Sequence, residues 1–193
     1  DRLEGSYIDD VIQGPSTYFH EDGSREESTY VDGVKQGKSF YYSSDGERGE
    51  FTYVDDVIQG KSIYYNSNGG REESTFVDGI PQGESAIFYS NGDTHGFTYV
   101  DGLEQGKSIY YYSDGDRREF TYVDGVKQGK TIFYWSDSGK WSGDREESTY
   151  VNGVNQGKGV LYKSNGDREE RTYVDGVKQG KTIFYWSDSG KWS

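Results

Sequence analysis

Residues 99–121 read YVDGLEQGKSIYYYSDGDRREFT, and this stretch decides the fold. A run rich in aromatic and β-branched residues lies at 107–112, and a second begins at 119 and continues to 123. The turn dipeptide Asp114-Gly115 lies between them, and Asp101-Gly102 precedes the first run. Such residues favour strands, and Asp-Gly supplies the positive φ that a tight hairpin turn requires. Because two strands joined by so few residues must pair antiparallel, the stretch predicts a β-hairpin and the turn into the next one.

The same pattern recurs along the whole chain. Gln-Gly occurs eight times, starting at positions 13, 36, 59, 82, 105, 128, 156 and 179, so that every spacing is 23 except one of 28. A fixed period of this length is the signature of a repeat architecture. The pattern predicts one continuous array over 1–193, with units starting near 7, 30, 53, 76, 99, 122, 150 and 173 and a five-residue insertion near 139–143.

Composition supports an all-β fold. The 193 residues include 19 Tyr, 9 Phe and 4 Trp, whereas disordered chains are poor in aromatic residues. The strongest helix formers, Ala and Leu, are nearly absent. We therefore predict an elongated, twisted, single-layer antiparallel sheet of about eight stacked 23-residue β-hairpin repeats, with sixteen short strands.

Charge and cysteine content exclude several classes of function. Acidic residues outnumber basic ones by 34 to 21, which gives a net charge of -13 and opposes binding to nucleic acid or to an anionic membrane. No segment approaches the ~18 apolar residues of a membrane-spanning helix. The absence of Cys excludes disulfides, thiolate zinc sites and cysteine nucleophiles, and together with near-identical tandem copies it slightly favours an extracellular location.

Rows of aromatic residues form the candidate assembly or partner face. The fifth residue after the Gly of each Gln-Gly is aromatic in every unit: Phe19, Tyr42, Tyr65, Phe88, Tyr111, Tyr134, Tyr162 and Tyr185. The preceding position lies on the opposite face of a strand and includes Tyr110, Phe133 and Phe184. Both faces are thus predicted to carry apolar ladders, and large apolar patches mark interaction surfaces.

The tryptophans and the repeated glycines are further candidates. Trp135, Trp141, Trp186 and Trp192 could anchor a partner or pack across an inserted turn. The glycines of the Gln-Gly pairs are interpreted as turn residues: Gly37, Gly60, Gly83, Gly106, Gly129, Gly157 and Gly180.

A search for catalytic and ligand-binding motifs points to no enzyme. The Gly-Lys-Ser/Thr triplets lack the upstream glycine spacing and the following helix of a phosphate-binding loop. Acidic turns such as 113–116 could bind Ca²⁺ weakly, but turn chemistry explains their Asp residues without a metal, and we predict no cofactor. His20 and His95 occupy unrelated repeat positions and are predicted to be surface residues.

The unit resembles the MORN repeat, which carries an aromatic residue, Asn/Asp-Gly, His-Gly, an aromatic-rich strand and a second Asp-Gly. Tyr99, Asp101-Gly102, Gln105-Gly106, 110–112 and Asp114-Gly115 occupy these places in order, although Gln-Gly replaces His-Gly in every copy. Phrases such as YVDDVIQG at 53–60 look most like the MORN region of SET-type protein lysine methyltransferases. The resemblance implies a sheet of stacked hairpins.

Two functions remain open. The first is a structural protein that assembles with itself, end to end and face to face, into a filament. The chain starts and stops inside the repeat pattern, and unpaired strand edges can template further pairing. The second is an interaction module of a larger protein, such as a relative of the SET-type methyltransferases.

Overall fold

The computed structural model describes residues 1–136 and 142–187 of the chain. Within these ranges the chain forms 22 strands of antiparallel sheet and contains no helix. The all-β hairpin fold predicted from the sequence is therefore confirmed. The strands outnumber the sixteen predicted because six of the eight hairpins have a second strand that is interrupted and counts as two.

The chain divides into two compact units, and the first comprises residues 1–90 and 99–102. Its strands follow each other as a meander, each paired with its neighbours along the chain. They are β1 (Arg2–Ile8), β2 (Val11–Phe19), β3 (Arg25–Val31), β4 (Val34–Lys35), β5 (Gly37–Tyr42), β6 (Arg48–Val54), β7 (Val57–Ile58), β8 (Gly60–Tyr65), β9 (Arg71–Val77), β10 (Ile80–Pro81) and β11 (Gly83–Phe88).

The second unit comprises residues 91–98 and 103–193 and repeats the same meander. Its strands are β12 (Thr94–Val100), whose last two residues belong to the first unit, β13 (Leu103–Glu104), β14 (Gly106–Tyr111), β15 (Arg117–Val123), β16 (Val126–Lys127), β17 (Gly129–Tyr134), β18 (Arg145–Val151), β19 (Val154–Asn155), β20 (Gly157–Tyr162), β21 (Arg168–Val174) and β22 (Val177–Tyr185). The prediction of one continuous array over 1–193 stays a prediction.

Each hairpin closes with a two-residue turn at Asp-Gly or its equivalent. In the turn at Asp124-Gly125, φ is 49° for Asp124 and 75° for Gly125. Positive φ at both central residues defines a type I′ turn, whose twist matches that of the flanking strands. Only Gly, Asp and Asn adopt this backbone at low cost, which explains why the turn sequence varies so little between repeats.

The interruption in the second strand falls at Gln-Gly. Val126 pairs with Val123, and Lys127 pairs with Tyr122 of β15. Pairing with β15 resumes only at Ile132, which lies opposite Glu119. The skipped residues 129–131 pair with β18 instead, so the chain makes a β-bulge that bends the hairpin. Gly129 has φ of 78° there. The Gln-Gly glycines thus lie at bulges rather than in turns, and in six hairpins the glycine is the first residue of the resumed strand.

The second turn of each unit connects neighbouring hairpins. Tyr112 donates its backbone N–H to the carbonyl of Asp116 at 2.9 Å, and Gly115 has φ of 96°, which is the three-residue hairpin loop with a glycine bulge. Trp135 donates its backbone N–H to the carbonyl of Asp144 at 3.0 Å, and most of the insertion predicted near 139–143 lies outside the described residues.

Full burial is rare in either unit. Among the described residues, Phe97, Phe120 and Leu161 are the buried apolar side chains, and most of the buried polar ones are serines. Most aromatic rings are half-buried. Stability therefore comes from cross-strand pairs and from contacts between successive repeats, as in other repeat proteins, and the sheet leaves long rows of side chains accessible.

Candidate interaction surface

One face of the sheet, which we call the arginine face, carries Arg117, Glu119, Thr121 and Val123 of β15 and their equivalents in other repeats. The aromatic residue five positions after each Gln-Gly glycine lies on this face, opposite an arginine. Guanidinium carbons lie 3.8–4.5 Å from the ring centres in seven repeats: Arg2 on Phe19, Arg25 on Tyr42, Arg48 on Tyr65, Arg71 on Phe88, Arg117 on Tyr134, Arg145 on Tyr162 and Arg168 on Tyr185.

These arginines change the character of the predicted apolar ladder. Seven of the eight rings carry a cation on one side, so the row is an alternation of cations and rings held by cation–π attraction. Tyr111 is the exception, because Thr94 occupies the arginine position opposite it. Its ring is 47% exposed.

The charged tracts of the sequence form ion pairs on the same face. The Glu73 carboxylate forms ion pairs with Lys61 at 2.8 Å and with Arg71 at 2.9 Å. The hydrogen bonds from Lys61, and then from Arg71, lower the pKa of this carboxyl. The same arrangement recurs at Glu119, Glu147 and Glu170. In each case a lysine from the neighbouring strand and an arginine two residues before the glutamate share one carboxylate.

The opposite face, which we call the serine face, holds Tyr110, Phe133 and Phe184. Between its aromatic rows lies a row of small residues that are buried opposite each other, such as Ser62 and Ser74. Ring contacts on this face run along and between strands, for example Tyr112 to Phe133 at 5.9 Å and Phe133 to Trp135 at 4.5 Å. The two predicted aromatic rows are therefore separated by the sheet and do not form one surface.

Two of the four tryptophans can be placed. Trp135 packs edge-on against Phe133, and Trp186, 74% exposed, stacks on Phe184 at 6.0 Å. Trp141 and Trp192 lie outside the described residues. Trp135 is thus a packing residue on the serine face, while Trp186 presents its ring to solvent.

The repeated glutamines and turn aspartates lock consecutive repeats together. Gln59 Nε2 donates to Asp78 Oδ1 of the next turn at 2.6 Å, and Gly79 N donates to the carbonyl of Ile58 at 2.9 Å. The glutamine bond recurs in seven successive repeats: Gln13 to Asp32, Gln36 to Asp55, Gln59 to Asp78, Gln82 to Asp101, Gln105 to Asp124, Gln128 to Asn152 and Gln156 to Asp175. This ladder gives Gln-Gly and Asp-Gly a joint structural role.

A second ladder joins the connecting turns of the second unit. Asp93 Oδ1 accepts the backbone N–H of Ser113 at 2.7 Å, and Asp116, Asp144 and Asp167 accept those of Ser136, Ser164 and Ser187. The bond from the Ser113 amide lowers the pKa of Asp93. These aspartates thus join each connecting turn to the next one.

A continuous apolar stripe runs beside the Asp-Gly turns, and sequence reasoning missed it. Each turn is flanked by a cross-strand aliphatic pair on the arginine face, such as Val123 opposite Val126. We call the following pairs the valine stripe: Val31/Val34, Val54/Val57 and Val77/Ile80 in the first unit, and Val123/Val126, Val151/Val154 and Val174/Val177 in the second. All but Val34 are exposed, by 39% to 59%.

The stripe is continuous within each unit because each pair reaches the next turn. The Cγ1 atom of Val57 lies 3.5 Å from the position that a Cβ on Gly79 would occupy, and Val126 approaches Gly153 in the same way at 3.7 Å. The sequence signal was present, since an aliphatic residue precedes and follows every turn dipeptide. Strand propensity alone already accounts for valine at these positions, so the pattern does not by itself indicate an exposed stripe.

A second missed feature is a cluster on the serine face of the second unit. His95, predicted to be a surface residue, has a side chain only 16% exposed. Its Nε2 lies 2.6 Å from Ser108 Oγ, and its ring packs on Phe97 at 4.8 Å. That prediction is wrong because repeat alignment identifies the strand position of His95 but not its neighbours. His20 is half-buried, and its ring centre lies 4.6 Å from that of Tyr18.

Charged groups share this cluster. Glu104 Oε1 lies 3.9 Å from His95 Nε2, and Lys127 Nζ lies 3.9 Å from the ring centre of Phe120. Burial raises the pKa of Glu104 and lowers the pKa values of His95 and Lys127. Burial, and to a smaller extent the negative charge of Glu104, raises the pKa of Tyr122 to about 12. Burial thus acts on four ionisable groups of this cluster.

The cluster does not have the geometry of a catalytic triad. Ser108 and Glu104 both approach the same nitrogen of His95, whereas a triad needs the nucleophile and the carboxylate on opposite ring nitrogens. Ser108 is also completely buried. The hydroxyl therefore cannot reach a substrate in this arrangement.

Residues 1–136 and 142–187 contain no group of three or more His, Cys, Asp or Glu side chains placed to hold a metal ion. The same residues include no helix long and apolar enough to cross a membrane.

Solved structures that resemble the chain are distant in sequence. The TCP domain of SAS-4 (dCPAP) from Drosophila melanogaster, solved with a proline-rich motif of Ana2 (dSTIL), is 12% identical, with a TM-score of 0.44 over 90% of this chain and 84% of that one. The G-box domain of the microcephaly protein CPAP is 14% identical, with a TM-score of 0.34 over 90% of this chain and 99% of that one. The E1021V mutant of the TCP10 domain of Danio rerio CPAP is 12% identical, with a TM-score of 0.35 over 88% of this chain and 86% of that one. No curated protein matches the chain.

The family model described as "MORN repeat" matches residues 98–117 and 147–168. Both segments cover the same parts of the unit: the strand before the Asp-Gly or Asn-Gly turn, the Gln-Gly bulge and the second strand. MORN repeats form a non-catalytic module of structural or interaction type. The resemblance predicted from the sequence is thus confirmed at these two segments, which match the MORN repeat.

Proposed function

We propose that this chain is a non-enzymatic protein-interaction scaffold that binds a partner along its valine stripe. The observation that carries the proposal is the stripe itself, in which eleven aliphatic side chains are exposed on a chain with a net charge of -13. Exposed apolar side chains scattered singly are ordinary, but a contiguous row marks an interaction site. The repeat region of a larger protein, such as a relative of SET-type lysine methyltransferases, is one setting for this function.

The geometry of the one candidate catalytic trio noted in residues 1–136 and 142–187 favours a scaffold over an enzyme. The candidate trio of Ser108, His95 and Glu104 is closed to substrate and has both partners on one nitrogen. Catalysis normally needs a singular pocket, whereas the stripe offers the same chemistry at every repeat.

Selection from a random peptide library tests the scaffold proposal. The chain is immobilised and binders are enriched, then each binder is measured against two variants. The stripe variant carries Val54→Thr, Val57→Thr and Val77→Thr, which keep the β-branched shape and replace one methyl with a hydroxyl. The control variant carries Thr52→Ser and Thr75→Ser, on the same face but one alternate position farther from the turn.

We expect enriched peptides that bind the control variant like the original chain and bind the stripe variant more weakly. Circular dichroism and urea unfolding establish that both variants keep the fold. Peptides that bind all three proteins equally, or a selection that enriches none, would contradict the proposed use of the stripe.

Assembly with itself into a filament is the second candidate function. The observation that favours it is the near-identity of the repeats, since residues 122–142 recur unchanged as 173–193. A contact that one repeat makes with another copy is therefore available many times. Electrostatic repulsion between chains of charge -13 acts against it at low salt.

Electron microscopy and sedimentation velocity at rising salt concentration test the filament. Filaments with a regular subunit spacing, weakened by Tyr111→Ser with Tyr134→Ser, would support it. Particles that stay monomeric at every salt concentration would remove this candidate and leave the scaffold.

A further inference from the structure

We infer that the valine stripe binds a proline-rich, basic segment of another protein in the polyproline II conformation, with an apolar residue at every third position. This inference rests on the proposed function of the stripe as an interaction surface. It goes further by assigning the conformation and the charge of the partner.

The first argument is the spacing of the stripe. Each repeat contributes two paired strands, so consecutive valine pairs follow each other at about 9.6 Å, twice the usual strand separation. A polyproline II helix advances about 9.3 Å over three residues, which return to the same side. Side chains at every third position of such a segment therefore stay aligned with three consecutive pairs, with a total mismatch of about 0.6 Å.

Other regular conformations fit this spacing less well. An extended strand places side chains on one side every ~6.6 Å, so only a minority of them would meet a valine pair. Seven residues of an α-helix span about 10.5 Å, a mismatch of about 0.9 Å per repeat that accumulates. The stripe also crosses the strands rather than following one.

The backbone around the stripe supports recognition through side chains. The turn amide of Gly79 donates to the carbonyl of Ile58, and that of Gly153 donates to Lys127. The flanking valines are themselves cross-strand pairs in the ladder. Because these groups are engaged, the stripe does not offer an open strand edge, and a polyproline II segment suits it since its backbone stays hydrated without partners.

Charge complementarity selects a basic partner. Each valine pair of the first unit flanks an acidic turn, with Asp32 between Val31 and Val34 and Asp55-Asp56 between Val54 and Val57. Two exposed lysines of this face, Lys38 and Lys61, stand opposite Thr52 and Thr75 beside the stripe, and Lys61 is paired with Glu73. A second copy of this acidic chain would bring like charges together, whereas Arg or Lys residues at the remaining positions of each triplet would meet the aspartates.

The test uses a synthetic peptide of about five Val-Pro-Arg triplets, long enough to cross three repeats at ~3.1 Å per residue. Three matched peptides accompany it. One has the same composition in an order without the three-residue period, one has Glu in place of Arg, and one is a basic amphipathic helix of similar length. Binding to the full chain is measured by fluorescence anisotropy in ~0.05 M and ~0.5 M salt.

We expect saturable binding of the triplet peptide that weakens in the higher salt, and at least about tenfold weaker binding of each matched peptide. The stripe variant, with Val54→Thr, Val57→Thr and Val77→Thr, should weaken binding of the triplet peptide by about tenfold, while the Thr52→Ser, Thr75→Ser control should leave it unchanged.

Equal binding of the ordered and scrambled peptides, or tighter binding of the helical peptide, would overturn the polyproline II inference. If library binders need the stripe but carry no three-residue period, the inference fails and the proposed scaffold stands. If no binder needs the stripe, both fail. Dimerisation of the chain that is lost in the stripe variant would also overturn the inference, since a second copy would then be the occupant.

Discussion

At the scale of single residues, the cation–π pairs of the arginine face set the exposure of the aromatic row. Tyr111 is more exposed than the other internal rings of this row because Thr94 takes the place of an arginine. In the neighbouring repeat, Arg117 lies 4.3 Å from the centre of the Tyr134 ring. The difference lies in one side chain and can be reversed by one substitution.

We predict that Thr94→Arg stabilises the chain by about 0.5–1 kcal/mol, because the new guanidinium covers the Tyr111 ring. Urea unfolding measures the change. A double-mutant cycle with Tyr111→Ala separates the ring contact from the altered strand propensity. An equal gain in the presence and absence of the Tyr111 ring would show that cation–π attraction is not the cause.

His95 makes stability depend on pH through burial. Desolvation, and then the charge of Lys127, lowers the pKa of His95 in the folded chain. Between the folded and unfolded pKa values the unfolded chain binds more protons, so this group's stability is complete above the unfolded value of about 6.5 and is lost as the pH falls. Glu104 acts in the opposite sense, because its raised folded pKa favours the protonated, folded form at low pH.

We therefore predict that His95→Phe flattens the loss of stability between about pH 7.5 and pH 5. The measurement is the urea midpoint at each pH for the original chain and the variant. His20→Phe is the matched control, since His20 stands outside the cluster. A pH dependence that persists unchanged in His95→Phe would assign it to other groups.

At the scale of the element, the hairpin turn and the glutamine ladder act together. Asp78 has φ of 51° and accepts Gln59 Nε2 at 2.6 Å. Asn152 performs both tasks elsewhere, with φ of 50° and a bond from Gln128 at 2.8 Å. The carboxylate charge is thus dispensable, but the side-chain oxygen and the tolerance of positive φ are not.

We predict that Asp78→Ala destabilises the chain by about 1–3 kcal/mol, because alanine pays for the left-handed backbone and leaves Gln59 without its acceptor. Asp78→Asn should change stability by no more than about 0.5 kcal/mol. Urea unfolding compares the two variants. Equal losses would mean that the negative charge, rather than the oxygen and the backbone, matters at this turn.

The same elements show how far the sequence could predict the structure. Asp-Gly specified the turns, and the aromatic and β-branched runs specified the strands, since both signals are local. The bulge at Gln-Gly was not predicted because glycine marks bulges and turns alike. The arginines on Tyr42 and Tyr134 and the exposure of Val123 depend on cross-strand register, which a single strand's pattern does not contain.

At the scale of the whole molecule, the 23-residue repeat acts as an interchangeable part. Within the first unit, Gln36 bonds to Asp55 and Gln59 bonds to Asp78 through equivalent contacts. Deletion of residues 53–75 would join Thr52 to Phe76 and present Asp78 to Gln36. Every contact of the ladder can then re-form one repeat along, because repeat proteins are stabilised by contacts between neighbours.

We predict that this deletion leaves a folded chain with the same β signature in circular dichroism. Its urea m-value should fall by about an eighth, since m follows the surface exposed on unfolding and one hairpin of eight is removed. The control deletion, residues 53–65, removes only part of a repeat and brings Asn66 after Thr52. It removes β8, which lies between β6 and β9, so the next strand cannot take the native register against β6 and the chain should lose cooperative unfolding. If both deletions fold equally well, register between repeats is not what determines the structure. If both fail, the contacts of the first unit are specific to each repeat rather than interchangeable.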